Sequence, residues 1–236
     1  MTEASALRVL RVVGLAVLVI FVALTFANPG RPVTTNTPGF VDPVLGLELA
    51  SRPEHVFGIL GAPTDPERPD TVRRMVLVTQ IDFLFLLAYP ALHLGIAWLL
   101  IAAGGVPRPA ATALVVLPLV MAAGDALENR EILVLSGLLD PGAMGPALTR
   151  LRLFTTLKWT ALYLDSALVA ALAWGRPEWW RWSAPFFGLG ALLGACALVH
   201  PPAIEWSMGP IGIAWSMTLV RAFGRPLLSS PVRATT

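Results

Sequence analysis

Residues 7–27, "LRVLRVVGLAVLVIFVALTFA", carry charge only at Arg8 and Arg11, before a long apolar run. At about 1.5 Å of rise per residue such a stretch reaches roughly 30 Å, the thickness of a bilayer's hydrocarbon core. No small-residue cleavage site follows it, so it reads as a retained membrane span rather than a removed signal.

Working outward, the same reading predicts spans over about 76–102, 110–136, 151–174, 183–200 and 203–223. Pro118 should kink the third, and Gly209-Pro210 should break the weaker sixth. Five spans is the alternative, with the last segment on the surface. The expected fold is therefore all-α: a polytopic transmembrane helix bundle forming a single domain over 1–236.

Composition agrees. The 236 residues are 56% hydrophobic and 14% charged, with mean hydropathy +0.70, against about 25% charged in a soluble domain. A net charge of +2 leaves no broad basic face for nucleic acid. A single cysteine, Cys196, excludes an intrachain disulfide, and three scattered histidines argue against a metal centre. Lys158 is the one lysine beside the arginines. No cofactor can be named.

The one long connection is 28–75. It opens as a linker, "NPGRPVTTNTPG", and continues "VDPVLGLELASRPEHVFGILG". Asp42-Pro43 fits an N-cap followed by the first helical position. Ser51-Arg52-Pro53-Glu54 fits a capping box, and Gly61 a stop. Two short amphipathic helices are expected, either as a lid on the membrane face or as plain surface helices.

Six spans put both termini on one side, with Arg8, Arg11, Arg108, Arg176, Arg181, Arg221, Arg225 and Arg233. The positive-inside bias then favours cytoplasmic termini in a plasma (inner) membrane, with "WGRPEWWRW", 174–182, as an interfacial tryptophan belt.

Polar residues inside the spans fall on stripes. Asp82, Tyr89 and His93 share a face of the second. Asp125, Glu128 and Asn129, in "MAAGDALENREILVL" at 121–135, sit at i, i+3 and i+4 in the third. Thr155, Lys158 and Asp165 share a face of the fourth. Arg130 and Glu131 should point elsewhere. Asp82, Glu128 and Lys158 each lie roughly 10–12 Å from the membrane face that bears the long loop. Glu205 and His200 fall at that face too, and His93 and Asp165 lie deeper. The expectation is a polar pocket in one leaflet, with Lys158 as the cation for two or three of Asp82, Asp125 and Glu128. The carboxylates outnumber the lysine, and an uncompensated carboxyl in hydrocarbon keeps its proton unless an arginine such as Arg130 reaches in.

The segments "LELASRPEHVFGIL", "IDFLFLLAYPAL", "GDALENREIL" and "LRLFTTLKWTALYL" resemble a family of bacterial multi-pass membrane proteins. Its pattern has E-L-A…P-E before the second span, Asp starting that span, D-x-x-E-N in the third, and Lys with an aromatic in the fourth. The resemblance covers roughly residues 45–175. It groups Glu48, Asp82, Asp125, Glu128, Asn129 and Lys158 as one motif set, and implies no activity.

Intramembrane ionisable groups normally mark a site, while interhelical polar contacts used only for packing contribute less than about 1 kcal/mol each. The candidate catalytic residues are thus Glu128, Asp125, Lys158 and Asp82, with Asn129, Glu48, Tyr89, His93 and Asp165 as candidate substrate-binding residues. The bland counter-reading is a packing network, with His93 a satisfied core histidine and Trp159 and Trp206 core or interface residues. Three functions compete. One is binding or acid–base conversion of a lipid-like or isoprenoid-like molecule. Another is proton-coupled transport, weakened by the absence of inverted repeats. The last is a non-catalytic subunit or assembly factor with a membrane-protein partner. Membrane lipids are expected neighbours in every case.

Overall fold

The computed structural model describes residues 2–29, 40–176 and 180–224. Residues 30–39 of the linker, 177–179 of the tryptophan-rich stretch, and Arg225 and Arg233 of the basic tally lie outside them.

The described residues form eight α-helices, a 3-10 turn at Pro141–Ala143, and no strand. The helices are α1 (Glu3–Ala27), α2 (Pro43–Glu48), α3 (Pro53–Leu60), α4 (Arg68–Ala102), α5 (Arg108–Gly137), α6 (Gly145–Ala173), α7 (Trp180–Cys196) and α8 (Ala203–Gly224). By length and composition α1, α4 and α5 can cross a membrane, which makes this a membrane-associated helical protein. α6 has 29 residues but carries Arg150, Arg152, Lys158 and Asp165, and α7 has only 17 residues.

Local chemistry explains most ends. The Asp42 side chain accepts from the backbone N–H groups of Val44 and Leu45, with Pro43 opening α2 as expected. Gly61 ends α3 at φ 90°, a conformation that favours glycine. α4 starts well before residue 76 because its first turns, with Asp70 bonded to Arg73 and Arg74, are polar and invisible to an apolar pattern. Two expectations are corrected. The box at Ser51–Glu54 does not form: Arg52 is the N-cap and gives no side-chain cap bond. α8 is not broken at Gly209-Pro210 but runs through it. Pro210 removes one backbone bond, while buried Ile211, Ala214, Trp215 and Thr218 hold one face of the helix in the bundle.

Instead of a serine cap, His55 reaches back, its Nδ1 accepting the Ser51 N–H at 3.4 Å. Burial pushes the His55 imidazole below its ordinary 6.5, and Arg52 and Arg152 add to the shift. The folded state therefore resists protonation that the unfolded chain accepts. Stability should hold above about pH 6.5 and decline below it. Thermal melts across pH 7.5 to 5.5 should show a downward slope that flattens in His55→Gln; an equal slope in both proteins would refute this.

Neighbouring helices pack in chain order, α4 on α5, α5 on α6, α6 on α7 and α7 on α8, with α1 lying against α4 and α8. The main core includes Leu10, Leu92, Leu100, Leu114, Phe187 and Ile211. A second core sits under the loop helices. There Leu47, Val56, Ile59 and Leu60 meet Met75 and Val78 of α4, Ile132 and Leu135 of α5, and Leu148 and Leu151 of α6. The loop helices thus seal one end of the bundle. Arg68 ties them down, its guanidinium donating to the carbonyls of Gly61 at 2.5 Å and Leu138 at 3.1 Å. Glu205, at the start of α8, accepts the N–H groups of Val41 and Asp42, which places it at the loop-bearing end as expected.

Candidate functional site

The site begins with a glycine. A Cβ on Gly124 would lie 3.0 Å from the backbone nitrogen of Lys158 and 3.2 Å from the carbonyl oxygen of Phe154. The backbones of α5 and α6 therefore approach closely at this level, because residue 124 has no side chain to hold them apart. Helical spacing then turns the next polar residues, Asp125 and Glu128, toward Lys158.

Lys158 is 7% exposed. Its ammonium bonds to Glu128 Oε1, to Glu48 Oε2 at 3.0 Å and to Asp125 Oδ1 at 3.5 Å. Of these contacts, those to Glu128 and Asp125 are hydrogen bonds and that to Glu48 is an ion pair. The ammonium also lies 5.0 Å from the centre of the Trp159 ring. Asp82 does not join it: Asp82 Oδ2 accepts instead from the Asn129 amide at 2.8 Å. Two of the three carboxylates expected around the lysine, Asp125 and Glu128, thus pair with it, and Asp82 is bonded to Asn129 instead. Tyr89 donates to Asp125 Oδ2 at 2.9 Å.

Glu48 comes from the loop helix α2 and enters the bundle, where it is 6% exposed. Its side chain also accepts from the Trp159 indole at 3.1 Å, and its carbonyl accepts from the Thr155 hydroxyl at 3.0 Å. Burial pushes the Glu48 carboxyl up; Lys158 pulls it down, and Asp125 adds to the rise. The loop is thus in contact with the network through Glu48, not a detached surface element.

Three carboxyls, Glu48, Asp125 and Glu128, contact one ammonium, and a fourth, Asp82, bonds to Asn129. Among the described residues no arginine bonds to any of them. Arg130 is 67% exposed, and with Arg150 it attends Glu131, a buried carboxylate outside the network. Glu128 is fully buried, and its Oε2 has no hydrogen-bond partner. Such an atom calls for an explanation, since buried polar atoms are normally paired.

His93 and Asp165 form a separate, deeper cluster. His93 Nδ1 lies 2.5 Å from Asp165 Oδ2, and the Trp215 indole donates to His93 Nε2 at 3.1 Å. An indole N–H only donates, so Nε2 must accept and the ring proton sits on Nδ1, toward Asp165. The two clusters touch through the stacked rings of Tyr89 and Trp215, 6.4 Å apart. Trp215 escaped the sequence reading because α8 lacks a clear polar stripe, and Gly124 because a lone glycine in an apolar helix has no signature. The indole of Trp159, expected in a packing role, bonds to Glu48.

A groove of about 480 Å³ lies elsewhere, between α7 and α8, lined by Trp182, Ile213, Ser216, Met217, Val220 and Arg221. Among the carboxylates, Glu48 from the loop covers Lys158 beside Asp125 and Glu128. No family model, curated protein or solved structure matches the chain.

Proposed function

We propose that this is a six-span inner-membrane protein with cytoplasmic termini, whose carboxylate–lysine network binds, or converts by acid–base chemistry, a lipid-like or isoprenoid-like small molecule. The observation that carries this reading is Glu128: fully buried, bonded to Lys158 by one oxygen, with the other oxygen unpartnered. Buried polar atoms are normally paired, and a donor on a bound ligand would pair this one. Six helices packed in sequence support six spans, and in α6 Lys158 faces the network while Asp165 faces His93.

In this reading Glu128 is the general acid, and Lys158 and Asn129 stabilise charge that develops on the reacting group. Access requires Glu48 to swing off Lys158, so α2 acts as the lid and the ligand enters from the loop-bearing leaflet. Mass spectrometry of the purified protein should find a small molecule that co-purifies with the natural sequence and is lost when Asp125→Asn and Glu128→Gln are combined. A clean spectrum from the natural sequence, or an unchanged one from the double variant, would sink the reading.

Proton-coupled transport is favoured by one observation: a second buried ionisable cluster, His93 with Asp165, lies deeper and meets the network through the stacked rings of Tyr89 and Trp215. Proteoliposome flux of the co-purified molecule decides between the two. A dependence on an imposed pH gradient, lost in Asp165→Asn, supports transport; flux indifferent to the gradient supports binding or conversion.

A further inference from the structure

The groove between α7 and α8 takes no part in the site proposed above and opens toward the other end of the bundle. α8 starts at the loop-bearing end, where Glu205 accepts from Val41 and Asp42. It finishes beside α1, where the Arg11 guanidinium donates to the Ala222 carbonyl at 2.6 Å. Ile213, Ser216, Met217, Val220 and Arg221 fall at i, i+3, i+4, i+7 and i+8, one stripe of α8. They line the groove over about 12 Å of rise, with Ile213 innermost and Arg221 at the end where α8 finishes. Trp182, near the start of α7, lines it at that same end. Its volume of about 480 Å³ is in the usual range for a small-molecule site.

The lining sets the chemistry of an occupant. Ile213, Met217 and Val220 offer apolar contact only, and the Ser216 hydroxyl is spent on the Gly212 carbonyl of its own helix at 2.8 Å. Arg221 is the one charged side chain among the lining residues, and it stands at the end of the groove. An occupant therefore needs an apolar tail pointing inward and an anionic head at the bundle end. That end is basic as a whole. Arg8, Arg11 and Arg181 lie there with Arg221, and among the described residues Glu3 is the one acid there, 3.9 Å from Arg221. A guanidinium carries five N–H donors, so Arg221 can serve a phosphate beside that carboxylate. Trp182 is 65% exposed, in keeping with tryptophan's place at the headgroup level of a bilayer.

We propose that this groove binds an anionic phospholipid, its phosphate on Arg221 and one acyl chain along Ile213, Met217 and Val220 against Trp182. Basic pockets between spans attract anionic headgroups, and arginine's planar fork matches phosphate oxygens. The groove also has the polarity of a lipid in a leaflet, head at the face and tail inward. A zwitterionic lipid would bring its own cation against the arginines. The site is independent of the network's ligand, and either can fail without the other.

Native mass spectrometry of the full chain in a non-ionic detergent tests this, with dioleoyl phosphatidylglycerol, dioleoyl phosphatidylcholine and oleate as probes. Phosphatidylglycerol should form an adduct in preference to the other two and raise the melting temperature. Arg221→Gln should weaken that adduct by about fivefold or more. Ile213→Trp, which fills the groove and leaves the arginine in place, should weaken it as much. Ile213 is 45% exposed, so this variant keeps the test available if Arg221→Gln disturbs the packing on α1. Arg8→Gln removes an exposed arginine outside the groove and should leave the adduct nearly unchanged. Equal adducts with phosphatidylglycerol and phosphatidylcholine, or a preference for oleate, would overturn the assignment. So would equal losses in Arg8→Gln and Arg221→Gln, which would mean diffuse charge without a built site, or an adduct unmoved by Ile213→Trp. A dimer in detergent that Ile213→Trp dissociates would give the groove to a second copy of the chain and overturn the lipid assignment as well.

Discussion

Lys158→Met is expected to lower the unfolding free energy by about 3–5 kcal/mol, the usual cost of removing one partner from a buried ion pair. The lysine bonds to three carboxylates, and methionine fills much the same volume without a charge. The cost comes from what is left behind: Glu48, Asp125 and Glu128 face one another across a dry space with no ammonium between them. Glu128→Gln in the same background should recover part of the loss, because it removes one of the carboxylates. Reversible unfolding in detergent, followed by tryptophan fluorescence, measures both. Equal stability of the single and double variants would show that the carboxylates do not act on one another through this site. Replacing Glu48 by Gln should instead loosen the lid, since that side chain holds α2 to Lys158 and Trp159. Faster proteolysis of the segment around residues 40–65 would register it.

The second large effect is expected at Gly124. Gly124→Ala should cost about 1–3 kcal/mol by overpacking, and Gly124→Leu more, because the atoms it would strike are the backbones of Lys158 and Phe154 rather than a flexible side chain. The larger substitution forces α5 from α6 and pulls Asp125 and Glu128 off the lysine. Its effect should therefore overlap with that of Lys158→Met: the two together should cost clearly less than the sum of the separate losses. Additive losses would mean that the glycine serves packing alone. Gly137→Ala and Gly212→Ala are the contrast. Nothing lies within 4 Å of a Cβ at either position, and alanine suits a helix better than glycine by about 0.5–1 kcal/mol, so both variants should melt at or above the parent temperature.

The stripes of polar residues were legible because helical periodicity is a local property. Asp125, Glu128 and Asn129 share a face whatever surrounds them. Their level with Lys158 followed from counting residues along adjacent helices. The partners were not legible. Nothing in the spacing says that Asp82 bonds to Asn129 rather than to Lys158, since that depends on side-chain reach across a gap whose width is set elsewhere. Glu48 lies far along the chain from Lys158, in a loop, and its entry into the bundle depends on the second core beneath α2 and α3. Ser51 looked like a helix cap and is not one, because Arg52 takes the capping position and His55 claims the Ser51 N–H.

By itself, the sequence determined that this is a helical, membrane-associated protein with charged groups on three consecutive helices and one lysine to serve them. Hydropathy, helical repeat and charge are properties of neighbouring residues and survive without a fold. Only the tertiary structure decided which carboxylates the lysine takes, which one is held by an amide, and that a loop glutamate closes the network from outside. Those choices depend on the distance between helices, which the bare backbone contact at Gly124 and the packing of the loop helices set. Neither is a property of any single stretch of chain.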